Sequence, residues 1–323
     1  MDVKIGVIGA GSMGTAISQI VSSNGCDVLL YARKKEVCDV INSTNCNKYY
    51  YPNIKLNSNI HAVNDYEEFK DVDIIFLCTP SSVIREVSKI LIKIVKKECI
   101  FINTAKGLEK NSNKRMSLVI EEEIGRLPVV LSGPNIAAEM ARTYFTATTI
   151  AGENDQELEF IKSVLHSRIF KINFNNDVIG TEWCGIIKNV IAISQGICEG
   201  MDVNDNARFA IFTKSYSETK NLIEKLGGNR DTVDDYCGFG DIITASTLQN
   251  VSRNHTLGIL YGQKIVIDEK ASGVLFEGKN TTRILKQVCD ELNFNFHTLN
   301  FVYDVIINKN NPKISFEEFW DKL

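Results

Sequence analysis

Near the start of the chain, Val3-Lys4-Ile5-Gly6-Val7-Ile8-Gly9-Ala10-Gly11-Ser12-Met13-Gly14-Thr15-Ala16 joins an apolar strand, a GxGxxG turn and a helix entrance. The spacing gives each glycine a task. Gly9 permits a tight turn, Gly11 lets backbone N–H groups approach a pyrophosphate, and Gly14 lets helix and strand pack closely. A phosphate so placed meets a helix N-terminus, where unpaired N–H groups and the helix dipole favour negative charge. Behind the turn, Ala16, Ile17, Ile20 and Val21 recur at helical spacing, Gly25 ends the helix, and Cys26 to Ala32 reads as a second strand. The context is that of a dinucleotide site, and a purely structural glycine turn accounts for less of it.

Strand and helix then alternate. Val72 to Cys78, Cys99 to Asn103 and Val129 to Leu131 are buried-strand runs, separated by helical patterns at Val83 to Ile94 and Met116 to Gly125. Such alternation predicts an α/β fold, a Rossmann-type doubly wound, mostly parallel sheet. Ligands of these sheets bind at the carboxyl ends of the strands. The loops at Thr79-Pro80-Ser81, Thr104-Ala105-Lys106-Gly107 and Ser132-Gly133-Pro134-Asn135 therefore open on the cofactor side. Near Asp177 the pattern becomes helical throughout, beginning with Trp183, Ile186, Ile187, Val190 and Ile191. We expect a dinucleotide-binding domain over 1–181 and an all-helical, substrate-binding domain over 182–323.

Composition narrows the function classes. A net charge of −4 offers no basic face for nucleic acid, and no apolar run is long enough to span a membrane. Nine cysteines, scattered singly with no CxxC pair, suit reduced thiols better than disulfides or zinc. Four dispersed histidines lack metal-ligand spacing. With no secretory pattern at the start, the expected location is the cytoplasm.

Several polar residues sit where chemistry is possible. Lys188 and Asn189 lie amid apolar neighbours on a long helix, where a lysine either snorkels to the surface or is held at an interface. Lys106 follows a strand end on the cofactor side. Asp241, after Gly238-Phe239-Gly240, opens a helix and could serve as its cap. Ser252-Arg253-Asn254 is either a plain loop or a phosphate clamp.

In order along the chain, GAGSMGTA at 9–16, NKYYYP at 47–52, TAKGLE at 104–109, SGPNIAAE at 132–139, GIIKNVIAI at 185–193, NARFA at 206–210, GFGD at 238–241, SRN at 252–254 and FEG at 276–278 resemble the NAD(P)-dependent glycerol-3-phosphate dehydrogenases. The resemblance covers nearly the whole chain. It implies that Lys188, with Lys106 and Asp241, forms the catalytic set. Gly133, Asn135, Asn189, Ser252, Arg253 and Asn254 would surround the substrate. Cofactor contacts would fall on Gly9, Gly11, Ser12, Met13, Gly14, Arg33, Lys106, Ala137, Arg253, Leu275 and Glu277.

The chain departs from the family pattern at three places. Asn135 stands where Thr or Ser is usual, and Tyr51-Pro52 replaces Leu-Pro. Ala245 occupies the position four after Asp241 where threonine is usual, with one extra residue before Ser252. Either Thr244, Ser246 or Thr247 replaces the missing hydroxyl, or the pocket takes another substrate.

The implied reaction interconverts dihydroxyacetone phosphate and sn-glycerol 3-phosphate by hydride transfer with NAD(P)H. Its rivals are reduction of another small phosphorylated or carboxylated carbonyl compound, and a dinucleotide sensor without catalysis. Arg33-Lys34-Lys35 follows the second strand where NAD-selective enzymes often carry Asp or Glu. That predicts NADPH as the preferred cofactor, with NADH usable. The resemblance also implies a homodimer, with no nucleic acid partner and no membrane span.

Overall fold

The structure, a computed structural model, describes residues 3–247, 252–265 and 277–323 and divides into two compact units. Unit 1 comprises Met1–Glu109 and Lys114–Val178; unit 2 comprises Lys110–Asn113 and Ile179–Leu323.

Unit 1 contains strands β1 (Lys4–Ile8), β2 (Asp27–Tyr31), β3 (Ile60–Val63), β4 (Ile74–Leu77), β5 (Ile100–Asn103), β6 (Val129–Ser132), β7 (Thr146–Ala151) and β8 (Phe170–Asn175). They form one sheet in the order β3-β2-β1-β4-β5-β6-β7-β8. Helices α1 (Ser12–Ser23), α2 (Lys35–Thr44), α3 (Ile84–Leu91), α4 (Met116–Ile124), α5 (Ala137–Ala141) and α6 (Asp155–Leu165) accompany it. Because both faces are covered, the central strands are apolar without a break. Ile74, Phe76, Ile100 and Ile102 join the α1 side of the core. Ile75, Leu77 and Phe101 join the α3 and α4 side.

Strand order reverses between β1 and β4, so the crevice expected to hold a ligand opens beside the glycine turn. The sheet is mostly parallel, as expected, with one exception. β6 and β7 pair antiparallel, with Val130 opposite Ala151 and Ser132 opposite Thr149. A parallel return needs a crossover of about a dozen residues or more, usually a full helix. Here the link over 133–145 contains only the short α5, which packs on α1 instead of crossing the sheet. Strands β3, β7 and β8 were not anticipated. β7 reads Thr-Ala-Thr-Thr-Ile-Ala, and its Thr148 and Thr149 are fully buried despite their polarity.

Unit 2 is helical, with no strand among its described residues. Among the described residues its α-helices are α7 (Val178–Gly200, whose first residue belongs to unit 1), α8 (Asp205–Lys225), α9 (Asp241–Thr247), α10 (Arg253–Gly262), α11 (Glu277–Glu291), α12 (His297–Ile306) and α13 (Pro312–Trp320). No helix among the described residues is long and apolar enough to cross a membrane. From Thr181 to Cys198 every residue of α7 is buried except Lys188.

Helices α7 and α10 meet through glycines four residues apart on each. A methyl on Gly196 or Gly200 would run into the carbonyl oxygens of His255 or Ile259, and one on Gly258 or Gly262 into those of Ile193 or Ile197. Only hydrogen at these positions lets the two backbones approach so closely. The seam sets the start of α10, with Ser252-Arg253-Asn254, against the stretch of α7 that carries Asn189. We expect Gly258→Ala to destabilise the protein by about 3 kcal/mol, the upper part of the range for overpacking, because backbone cannot yield as a side chain can. Lys225→Ala, at the exposed end of α8, should stay within about 0.5 kcal/mol. Urea unfolding of both variants checks this.

Candidate active site

In unit 1 the glycine turn has the geometry its spacing predicts. Gly9 has φ +113°, in the region that favours glycine, and a Cβ there would lie 2.7 Å from the Cys78 carbonyl oxygen at the end of β4. A Cβ on Gly14 would run into the Gly9 carbonyl. A Cβ on Gly11 would meet nothing within 4 Å, so the space it faces is open. Gly11 is also the N-cap of α1 and offers no capping side chain, and the first turn of the helix has no acidic residue. An open glycine before uncapped N–H groups fits a pyrophosphate.

The other expected cofactor positions of unit 1 lie at the start of α1, after β2 and at the start of α5. Ser12 and Met13 form the first turn of α1, Met13 packs partly on the core, and Ala137 begins α5. Arg33, Lys34 and Lys35 are all exposed after β2. Burial pushes the Cys78 thiol beneath the turn up to about 12, so it is neutral at ordinary pH. Leu275 lies outside the described residues. Glu277 opens α11, and its side chain likewise lies outside those described.

Lys106 and the Gly133 loop come together in unit 1. Lys106 Nζ donates to the Gly133 carbonyl at 3.1 Å. Asn103, at the end of β5, shapes the lysine loop by accepting the Ala105 N–H at 3.0 Å. Asn135 is held toward β7: Thr148 Oγ1 donates to its Oδ1 at 3.0 Å and its Nδ2 donates to the Ala147 carbonyl at 3.4 Å. Sequence reasoning missed Thr148, whose signal was hidden in a threonine-rich strand.

Unit 2 brings together Lys188 and Asp241. Lys188 Nζ meets Asp241 Oδ1 at 2.7 Å, with the side chains 16% and 3% exposed. The lysine is thus neither a plain snorkel nor unpartnered in its apolar helix. Beside it, Asn254 Nδ2 donates to Asn189 Oδ1 at 2.9 Å, and the Gly278 N–H donates to Asn254 Oδ1 at 3.2 Å. The Ser252 hydroxyl caps α10 by accepting the His255 N–H at 3.3 Å. Arg253 is exposed in the first turn of α10. A cation at the positive end of a helix is unfavourable alone and favourable once an anion sits there.

The hydroxyls near Ala245 are now located. Thr244 and Thr247 donate to the carbonyls of Gly240 and Ile243, each at 2.7 Å. Ser246 is fully buried, and its Oγ finds no partner among the described residues. Among the described residues no group of acidic, histidine or cysteine side chains could hold a metal ion.

The two glycines of the turn should respond differently to an added methyl. Gly11→Ala should fold with an unchanged melting temperature yet bind dinucleotide at least about tenfold more weakly, the equivalent of 1.4 kcal/mol. Gly14→Ala should lower the melting temperature as well. Calorimetric melting with dinucleotide titration separates the two, and normal binding by Gly11→Ala would remove the pyrophosphate from this turn.

Two models of one protein family match successive parts of the chain. Residues 4–158 match the NAD-dependent glycerol-3-phosphate dehydrogenase N-terminus, and residues 177–317 match the C-terminus of the same family. A glycerol-3-phosphate dehydrogenase [NAD(P)+] of Clostridium botulinum is 33% identical over 318 residues, covering 98% of this chain and 96% of that protein. One of Bacillus cereus is 35% identical over 317 residues, covering 96% and 93%. The crystal structure of glycerol-3-phosphate dehydrogenase from Coxiella burnetii is 28% identical, covers 99% of both chains and superposes with a TM-score of 0.90. The matched halves span almost the entire sequence, and the chain belongs to the NAD-dependent glycerol-3-phosphate dehydrogenase family.

Proposed function

We infer that this chain catalyses the reversible reduction of dihydroxyacetone phosphate to sn-glycerol 3-phosphate with a nicotinamide cofactor. The Lys188–Asp241 pair carries the inference: a nearly buried cation held in direction by a buried carboxylate is what proton transfer to a ketone oxygen requires. When bound, the reduced nicotinamide supplies the hydride for the ketone carbon. Lys188 gives the proton to the ketone oxygen, and in the reverse direction its amine takes the proton from the hydroxyl. Asp241 fixes the direction of the lysine Nζ. Lys106 adds a second cation to the catalytic set, and the Gly133 carbonyl steadies it.

Arg253, Asn254, Asn189 and Ser252 bind the phosphate, with Gly133 and Asn135 assigned to the rest of the substrate. The phosphate lies away from the reacting carbon, so its binding energy can serve orientation at the reacting centre. Reduction of another phosphorylated or carboxylated carbonyl compound is the rival, and Ala245, with no hydroxyl to offer, is the observation that favours it. A sensor without catalysis would need no Lys188–Asp241 pair. The cytoplasm as location rests on the sequence pattern, and a homodimer on the family resemblance.

For the cofactor, we assign Arg33 to the 2′-phosphate of NADPH, through two N–H bonds and stacking of its plane on adenine. NADH remains usable, since no acidic side chain follows directly after β2.

A spectrophotometric assay with dihydroxyacetone phosphate and each reduced nicotinamide tests the whole assignment. Turnover is expected, and its absence with tight NADPH binding would favour the sensor. Lys188→Arg keeps a cation for Asp241 but replaces the amine with a guanidinium that holds its proton. It should fold normally and lose roughly 10²–10⁴-fold in kcat. Retained kcat would make Lys188 structural. Arg33→Asp should raise KM for NADPH by roughly 10–100-fold, as expected for lost charge-assisted bonds, and reverse the kcat/KM order of the two cofactors. Wild-type protein that used NADH as well as NADPH would overturn the Arg33 assignment.

A further inference from the structure

We propose that Asn47 and Tyr51 are positioning residues for the pyrophosphate of the dinucleotide, acting through the carbonyls of Ala10 and Ser12 on either side of Gly11. The proposal rests on the dinucleotide assignment of the glycine turn and adds to it two residues outside the turn.

Both residues come from one tight turn after α2, closed by the Tyr51 N–H donating to the Asn47 carbonyl at 2.7 Å. Asn47 is fully buried, and its Nδ2 donates to the Ala10 carbonyl at 3.0 Å and to Thr15 Oγ1 at 2.8 Å. Tyr51 is buried too, and its Oη donates to the Ser12 carbonyl at 3.1 Å. Burial pushes the Tyr51 phenol up, so it keeps the proton it donates.

The consequence follows from peptide planarity. In a trans peptide the C=O and the next N–H point in opposite directions. Drawing the Ala10 carbonyl toward Asn47 turns the Gly11 N–H away from it, and drawing the Ser12 carbonyl toward Tyr51 does the same for the Met13 N–H. These N–H groups flank the open space at Gly11, and the Met13 N–H is one of the helix-entrance donors that have no intrahelical acceptor. Asn47 also carries a cost. Its Oδ1 is buried with no partner among the described residues, a penalty an apolar residue of similar size would avoid. Its presence there is explained by the two bonds its Nδ2 donates.

Tyr51→Phe removes only the hydroxyl, and Asn47→Ala removes both amide bonds. Titration with NADPH, and with adenosine as a fragment that lacks the pyrophosphate, tests them, with melting curves to confirm folding. Tyr51→Phe should weaken NADPH binding about 3–10-fold, the effect of one lost hydrogen bond. Adenosine binding should be unchanged, and the kinetic loss should sit in the cofactor KM rather than in kcat. A folded Asn47→Ala should show the same pattern more strongly. Equal weakening of adenosine and NADPH, or wild-type NADPH affinity in Tyr51→Phe, overturns the proposal. Wild-type protein that binds no dinucleotide overturns the underlying assignment, an outcome visible before any variant is made.

Discussion

Approach of backbone to backbone, closer than any side chain would allow, governs both units of this protein. In unit 1 Gly14 presses on the Gly9 carbonyl, so α1 begins directly at the end of β1 with its N-terminus facing the open side of Gly11. In unit 2 two glycines from each of α7 and α10 meet the carbonyls of the opposite helix. A collision with backbone is costly because backbone cannot rotate aside. These few hydrogens therefore decide where the first donors of α1 point and where the start of α10 lies against α7.

The polar residues near these seams divide into those that build and those that act. Glu218 of α8 builds. It accepts the N–H groups of His297 and Thr298 at 3.1 and 3.2 Å and the Thr298 hydroxyl at 2.9 Å, and so caps α12. Asp241 is as deeply buried but is paired with Lys188. A buried ion pair is a poor source of stability, since desolvation consumes most of its Coulomb attraction. An ion pair on a helix otherwise buried from Thr181 to Cys198 is therefore not explained by folding energy, which agrees with the proton role proposed for Lys188.

The departures from the family pattern have different physical standing. Asn135 is tied to Thr148 and Ala147, so the amide replaces a hydroxyl and is absorbed by its neighbours. Ala245 is not compensated in that way. Thr244 and Thr247 are turned to their own helix, and Ser246 is buried, so none of the three is a ready substitute. The proposed phosphate clamp at the start of α10 therefore has no counterpart in a free hydroxyl from α9 among the described residues.

What the sequence by itself determined is local: the glycine turn, the apolar runs of β1, β4 and β5, and the long helix that carries Lys188. Period, turn chemistry and length are written in neighbouring residues, and the family motifs placed Lys106, Asp241 and Arg253 in order. The antiparallel β7 was not legible, because threonines in a buried strand look polar until the tertiary structure pairs them. Nor was the grip of Asn47 on Ala10, 37 residues apart, or the direct bond by which Lys188 and Asp241, 53 residues apart and grouped until then only by family resemblance, meet. Only the tertiary structure decided these contacts, because a partner distant along the chain leaves no periodicity in the sequence around either residue.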